Sequence, residues 1–156
     1  MSTITYVSLT DEALGLSLEA PAGWYRGSSE IFPLQLRAPE DGGYRASCNF
    51  SHERFEPPTP EGLEDFARRS KQAQVDGYEG FAELGAEELV VDNRPGLLQR
   101  YRWSPEALGR TLEQLLVLVV AEPGLLLQAD AASLAERSEH YMPVFRRIVS
   151  SVRFLA

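Results

Sequence analysis

The amino-acid sequence predicts an α/β (α+β) domain in which an antiparallel β-sheet of about six to eight strands is sandwiched between helices. Three observations support this fold class. Several segments alternate apolar and polar residues and are joined by short turns, which requires antiparallel neighbours. The run 115–120 is apolar on both faces, which indicates a central strand covered above and below. Two segments have helical periodicity and are expected to provide that cover.

The clearest predicted strand pairs lie in the second half of the chain. Residues 88–91 and 96–103 flank a short polar turn at 92–95, and residues 111–121 are followed by 124–130. Within 96–103, the alternation of a strand places Leu98, Arg100 and Arg102 on one face. Leu97, Gln99, Tyr101 and Trp103 are expected on the other face. Three earlier strands are predicted at 14–20, 34–37 and 46–51.

The first predicted helix follows a proline-rich loop at 56–60. Thr59 suits the N-cap, and Pro60 is favoured in the first turn. Gly77 indicates the end of the helix. An apolar or small face then recurs at spacings of three and four, opposite a charged face. The members of this face are Leu63, Phe66, Ala67 and Ser70.

The second predicted helix lies at the C-terminus. Ser133 and Glu136 have the spacing of a capping box, which predicts a short helical turn there. Because Pro143 interrupts a continuous helix, the main helix is expected to start close to Tyr141.

Length and charge limit the classes of function. The chain of 156 residues has the size of one domain, and we expect a single domain over residues 1–156. Its 23 acidic and 15 basic residues give a net charge of −8. A nucleic-acid partner is therefore not expected, because phosphate binding requires a basic surface. Arg100 and Arg102, or Arg146 and Arg147, are the candidates for a local basic patch.

Neither a secretory signal nor a membrane span is predicted. The N-terminus has no basic cluster followed by a long apolar run. The longest apolar run, 115–121, is far shorter than the roughly 20 residues that cross a bilayer. We therefore expect a cytosolic protein that is not inserted in a membrane.

No combination of residues predicts catalysis. Ser51, His52 and Glu53 include the residue types of a hydrolase triad, but adjacent strand residues point to opposite faces. His52 and His140 have no metal-ligand spacing. Cys48 lies in a predicted strand, where a buried and unreactive thiol is expected. The sequence therefore predicts no catalytic residue, no metal ligand and no cofactor.

Four segments together resemble the PsbP-like superfamily, which includes DcrB-related proteins. Residues 18–24 read Leu-Glu-Ala-Pro-Ala-Gly-Trp, which is similar to the P-x-G-W opening of that superfamily. The segments 94–103, 115–130 and 141–151 also fit, so the resemblance covers nearly the whole chain. It implies an antiparallel sheet between helices, the fold class reached above from the residues.

Within the superfamily the chain is most similar to Eag-type chaperones of type VI secretion effectors. Lipoprotein signals and transit peptides mark other branches, and none is recognised here. The resemblance implies a non-catalytic cytosolic chaperone or adaptor that shields apolar helices of a secreted effector, with a homodimer gripping the client. The implied contact strand is 31–37, with Ile31, Leu34 and Leu36 as candidate contacts, joined by Arg100 and Arg102 as further partner-binding candidates.

Two other functions stay open at this point. An accessory or scaffold protein with a polar protein-binding site would lack an apolar groove. A small-molecule or lipid carrier would contain an apolar pocket of a few hundred Å³. Ordinary core packing is the alternative explanation for Ile31, Leu34 and Leu36.

Overall fold

The computed structural model describes residues 3–156, which form ten strands and two α-helices. The helices are α1 (Pro60–Gly77) and α2 (Ser138–Ser150), and a 3₁₀ turn at Ala135–Arg137 precedes α2. The strands are β1 (Tyr6–Asp11), β2 (Leu16–Pro21), β3 (Tyr25–Gly27), β4 (Leu34–Arg37), β5 (Ser47–Arg54), β6 (Ala82–Val91), β7 (Arg94–Trp103), β8 (Leu112–Glu122), β9 (Leu125–Leu134) and β10 (Arg153–Phe154).

The strands form two antiparallel sheets. The larger sheet has seven strands in the order β3-β4-β5-β9-β8-β7-β6, and the smaller has the order β1-β2-β10. The predicted fold class, α+β with an antiparallel sheet and helices, is confirmed. The sequence predicted one sheet because β3 and β10 have only three and two residues, too short for an alternating pattern. β1 is longer but mostly exposed, so its pattern is also weak.

The central strand β8 is buried on both faces, as its apolar run predicts. Leu115, Val117 and Val119 pack in one core cluster with residues of β2 and α2. Leu116 and Leu118 point to the opposite face and pack in a second cluster beneath α1. We call these the α2 face and the α1 face of the seven-stranded sheet.

The β6–β7 hairpin turns more tightly than the sequence predicts. Val91 pairs with Arg94, so only Asp92 and Asn93 lie in the turn. Both have positive φ, 48° and 62°, the conformation of the two-residue turn that matches strand twist. The Asp92 carboxylate accepts a hydrogen bond from the backbone N–H of Phe154 at 2.9 Å. The tip of the hairpin is therefore fastened to the C-terminal strand.

Helix α1 begins and ends where the sequence predicts. Thr59 is extended at its N-cap, but its side chain makes no capping hydrogen bond. Gly62 has backbone of the preceding loop against it: an added Cβ would lie 1.8 Å from the carbonyl oxygen of Pro57. Only glycine fits at this close approach, which holds the start of α1 against the loop.

The predicted start of the C-terminal helix is wrong by three residues. Helix α2 begins at Ser138 and continues through Pro143. The missing N–H of Pro143 leaves the carbonyl of Glu139 without its helical partner, and Glu139 is exposed to water that can replace it. The predicted capping box is also wrong. Ser133 lies in β9, where its hydroxyl donates to the carbonyl of Leu134, although a short helical turn does follow.

Candidate binding groove

A groove runs between α1 and the outer strands of the large sheet. Because α1 lies over the middle of the α1 face, β6 and β7 keep exposed or half-buried side chains beside it. The groove has two adjoining parts of about 280 and 460 Å³, and Leu97 lines both. The apolar side chains that line it include Phe55, Leu63, Ala67, Ala86, Val90, Leu97, Leu116, Leu118 and Val120.

The walls of the groove combine buried and accessible apolar surface. Leu116 and Leu118 form its floor and are 6% and 2% exposed, whereas Val90 on β6 is 70% exposed. At one end Lys71 of α1 forms an ion pair with Glu83 of β6 at 3.2 Å. Gln99 of β7 donates a second hydrogen bond to the Glu83 carboxylate at 3.0 Å. The ion pair between Lys71 and Glu83 therefore bridges α1 and β6 at this end of the groove.

A polar and aromatic network lies on the same face near the end of α1. The ring of Tyr78 stacks on Trp103, with centroids 4.2 Å apart. The Trp103 indole N–H donates to Gln114, whose amide donates to the Tyr101 hydroxyl at 3.1 Å. Burial is the main reason that the pKa of Tyr101 is raised far above its usual value. The phenols therefore stay protonated and act as hydrogen-bonding groups, not as bases.

Asp130 of β9 also lies on the α1 face, since it pairs across the strands with Leu116. Loss of hydration on burial raises the pKa of its carboxyl group, and the charge of Glu53 raises it further. The amide of Gln128 opposes this shift by donating a hydrogen bond to the carboxylate at 2.9 Å. Asp130 is a half-buried carboxyl group whose charge acts on the phenols of Tyr78 and Tyr101.

The sequence-predicted contacts of the strand 31–37 are not a continuous exposed surface. Leu34 and Leu36 are 0% and 1% exposed and belong to the core on the α2 face. This corrects the expectation that they contact a partner, because the small sheet and α2 already cover that face. Only Ile31, in the loop before β4, is open, at 74% exposure. The side chains that share a groove are those of α1, β6, β7 and β8.

Arg100 and Arg102 lie on the α2 face of β7, as the predicted alternation requires. Both reach the same acid, Glu113 of β8, whose side chain is 3% exposed. The Arg102 Nε donates to the Glu113 carboxylate at 2.7 Å, and the Arg100 Nε lies 3.7 Å from it. The main interaction of the two arginines is therefore with a buried carboxylate, whose charge they neutralise. Both remain about two-fifths exposed.

Catalytic side chains do not converge in the part of the chain that the structure describes. Between residues 3 and 156 no group of three or more His, Cys, Asp or Glu side chains is placed to hold a metal ion. Cys48 is buried in β5, as the sequence predicts, and burial raises the pKa of its thiol. His52 and Ser51 are neighbours on β5 and point to opposite faces.

The sequence reasoning missed the groove because no single segment encodes it. Its walls come from α1, from the β6–β7 hairpin and from β8, which are separated along the chain. One signal was present. The apolar face of α1 is narrow, with Leu63, Phe66 and Ala67 as its main members. A face this small covers only part of a large sheet.

The fold defines the class of protein to which the chain is similar. The seven-stranded antiparallel sheet with its helices and small sheet is similar in fold to PsbP. The cyanobacterial PsbP protein CyanoP from Synechocystis is 14% identical, with 98% of this chain and 94% of that chain covered and a TM-score of 0.67. The resemblance predicted from the sequence is thus confirmed at the level of the fold.

Two further solved structures share this fold. LpqN from Mycobacterium tuberculosis, involved in cell envelope biogenesis, is 16% identical over 99% of this chain and 93% of its own, with a TM-score of 0.67. The Ran-binding protein Mog1p from Saccharomyces cerevisiae is 8% identical over 98% of this chain and 97% of its own, with a TM-score of 0.65. Identities this low establish the fold alone.

Neither a protein-family model nor a curated protein sequence matches the chain. Across residues 3–156, no helix has the length and apolar character needed to cross a membrane.

Proposed function

We propose that this chain is a non-catalytic protein-binding domain that holds an apolar helix of a partner in the groove beside α1. The observation that carries the proposal is the groove itself, about 460 Å³ in its larger part and lined by accessible apolar side chains next to an uncovered strand. A helix about 10 Å in diameter fits beside α1, because seven strands span roughly 30 Å and one helix covers a third of that width. An amphipathic helix in an apolar groove is a recurring mode of protein recognition.

We further propose that the partner is a secreted effector and that this chain shields its apolar helix before export. The resemblance to Eag-type chaperones supports this role. The net charge of −8 also supports it, because charge keeps a protein with an accessible apolar surface in solution. The PsbP-like fold is compatible with protein binding, since Mog1p is a Ran-binding protein. A homodimer remains a prediction of the same resemblance, and light scattering of the purified protein measures it.

The direct test compares one valine and one isoleucine of similar exposure. Val90 lines the groove and is 70% exposed, whereas Ile31 is 74% exposed and lies outside it. The probe is a labelled helix of 18 residues, the length of α1, with leucine and alanine on one face and glutamine on the other. We expect Val90→Glu to weaken binding of this probe about tenfold, because a carboxylate would replace buried apolar surface.

Ile31→Glu is the matched control, since it adds the same charge at an equally exposed position. It should leave the affinity for the probe unchanged. If Ile31→Glu weakens binding and Val90→Glu does not, the contact surface is the one around β4 that the sequence suggested. If the probe binds neither the native chain nor the variants, the groove does not hold helices. A separate pull-down from the native cell tests the effector role. The captured effector should be lost with Val90→Glu and kept with Ile31→Glu.

A second function is favoured by the size of the groove. A volume of about 460 Å³ lies within the range of pockets that hold small apolar molecules. A lipid or other small ligand bound there would be retained during purification and visible by native mass spectrometry. Such a ligand, released by Val90→Glu but not by Ile31→Glu, would favour the carrier function over the helix-binding function.

A further inference from the structure

The two ends of the groove differ in charge. At the end of the groove toward the C-terminus of α1, the acid Glu83 is neutralised by Lys71 and accepts a hydrogen bond from Gln99. At the other end, near the start of α1, two carboxylates face the groove from opposite walls. Glu64 lies on α1 and Glu88 lies on β6, and both line the larger part of the groove.

Neither Glu64 nor Glu88 is paired with a cation in the described part of the chain. The neighbouring acids differ in this respect. Asp65 is held by Arg68 and Arg69, and Glu87 is held by Arg146 at 2.7 Å on the α2 face. Glu64 and Glu88 are exposed to water, so their charges cost little while the groove is empty.

Covering the groove makes the ionised state of these two carboxylates less favourable. An apolar segment laid beside them removes part of their hydration and offers no hydrogen bond in return, which is unfavourable for an ionised group. A segment with a lysine or arginine at this end restores a partner, and the attraction strengthens as water is excluded. The same apolar walls therefore bind a cationic segment more tightly than a neutral or acidic one.

We infer that the groove selects apolar helices that carry a basic residue at one end, which lies between Glu64 and Glu88. This inference rests on the proposed function and adds the charge and the direction of the bound segment. At the bridged end of the groove, each of the four charged side chains that line it has an ion-pair partner: Arg68, Lys71, Glu83 and Glu87. A basic terminus therefore lies near the start of α1, and the apolar part of the helix extends along β6 and β7.

A second copy of this chain is a poorer occupant of the same region. The exposed edge strand β6 carries the consecutive acids Glu87 and Glu88, which point to opposite faces. Antiparallel pairing of two such strands in a register centred on these acids would place each acid opposite an acid, and like charges directly opposite one another are destabilising. A partner with basic residues meets the same edge with complementary charge.

The test uses three versions of the 18-residue probe helix that differ only at one terminal position, where each has lysine, glutamine or glutamate. We expect the native chain to bind the lysine probe about three- to tenfold more tightly than the glutamine probe, with the glutamate probe weakest. Raising the salt concentration to about 1 M should reduce this preference, because exposed charges are then screened. The glutamine probe measures binding by the apolar walls alone.

The double variant Glu64→Gln and Glu88→Gln should bind the three probes with nearly equal affinity. The matched control is Glu79→Gln with Glu106→Gln, which removes two negative charges from exposed sites outside the groove. This control should keep the preference for lysine. All four substitutions are at exposed positions, and unfolding curves check that the fold is retained.

The outcomes separate this inference from the function on which it rests. Equal binding of all three probes by the native chain overturns the inference and leaves the helix-binding function standing. Loss of the lysine preference in the Glu79 and Glu106 control as well also overturns it, because net charge and not the groove would then explain the preference. No binding of any probe overturns the proposed function together with the inference.

Discussion

The two faces of the seven-stranded sheet are covered to different extents. On the α2 face, α2 and the small sheet bury a continuous core in which Leu34, Phe145 and Ile148 have no exposed surface. On the α1 face a single helix covers the middle of the sheet, and the buried cluster is small. The six buried members of that cluster are Phe55, Leu63, Tyr101, Leu116, Leu118 and Leu126.

This difference separates stability from recognition. A covered face contributes the burial on which folding depends, and its side chains are unavailable to a partner. A partly covered face contributes less to folding but keeps apolar surface accessible. Contiguous apolar surface of this kind marks interaction sites in soluble proteins. The contrast places most of the buried core on the α2 face and the accessible apolar groove on the α1 face.

The largest expected effect on stability comes from replacing a phenylalanine with alanine, and the size of the effect should differ between the two faces. Phe145 of α2 is fully buried and packs against Trp24 and Tyr141. Phe145→Ala should lower the free energy of unfolding by about 3–5 kcal/mol, through lost burial and the cavity left behind. Phe66 of α1 is only partly buried. Phe66→Ala should cost about 1 kcal/mol.

Urea denaturation followed by circular dichroism measures both changes, with the slope of the transition as a check that the unfolded states are comparable. Similar losses for the two variants would contradict the contrast between the faces. A larger loss for Phe66→Ala would mean that α1 carries the stability of the chain.

A smaller effect is expected from an ion pair whose acid is buried. Replacing Arg102 by methionine keeps an apolar stem but leaves Glu113 without its 2.7 Å partner. We expect Arg102→Met to lower the free energy of unfolding by about 2 kcal/mol, since hydrogen bonds to buried charged groups are costly to leave unmade. Arg68→Met removes an ion pair with Asp65 that is exposed to water, and its effect should be close to zero.

A second substitution separates loss of charge from loss of packing at Glu113. Combining Arg102→Met with Glu113→Gln removes a buried charge that would keep only Arg100, at 3.7 Å, and should recover part of the lost stability. Thermal unfolding of the single and double variants measures this recovery. No recovery would show that the stability lost in Arg102→Met does not come from the charge left on Glu113.

The elements that the sequence predicted well are those with strong local signals. The run at 115–120 is apolar at every position, so a strand buried on both faces was the only arrangement that satisfied it. The alternation in 96–103 placed Arg100 and Arg102 together on one face, as the structure has them. Thr59, Pro60 and Gly77 marked the ends of α1 to the residue.

The features that the sequence could not predict depend on contacts between distant segments. Leu34 and Leu36 would have the same alternating pattern whether their face of the sheet were covered or open. They are buried because α2 and β2 cover that face. The start of α2 was missed because Ala135–Arg137 already winds as a 3₁₀ turn and leads the chain into the helix before Pro143. Coverage of the sheet by α1 is likewise a property of the assembled layers.

The smallest expected effect concerns Asp130, the half-buried carboxyl group on the α1 face. Its pKa in the folded chain is raised by burial above that of the unfolded chain. The folded state therefore holds the proton more tightly, and this group's contribution to stability falls as the pH rises from about 4 through the raised pKa. Asp130→Asn removes the ionisation, so the variant should gain stability relative to the native chain over this pH interval.

The pH dependence of the difference between the two proteins isolates Asp130 from the other carboxyl groups, because those titrate in both chains. Urea midpoints measured from about pH 4 to pH 7 should diverge in favour of Asp130→Asn as the pH rises, and then stay a constant distance apart. Parallel midpoints throughout would mean that Asp130 is hydrated when ionised, and that the α1 face is open to water on the β9 side as well as at β6. Divergence would instead agree with exclusion of water from Asp130, because burial is the largest cause of its raised pKa.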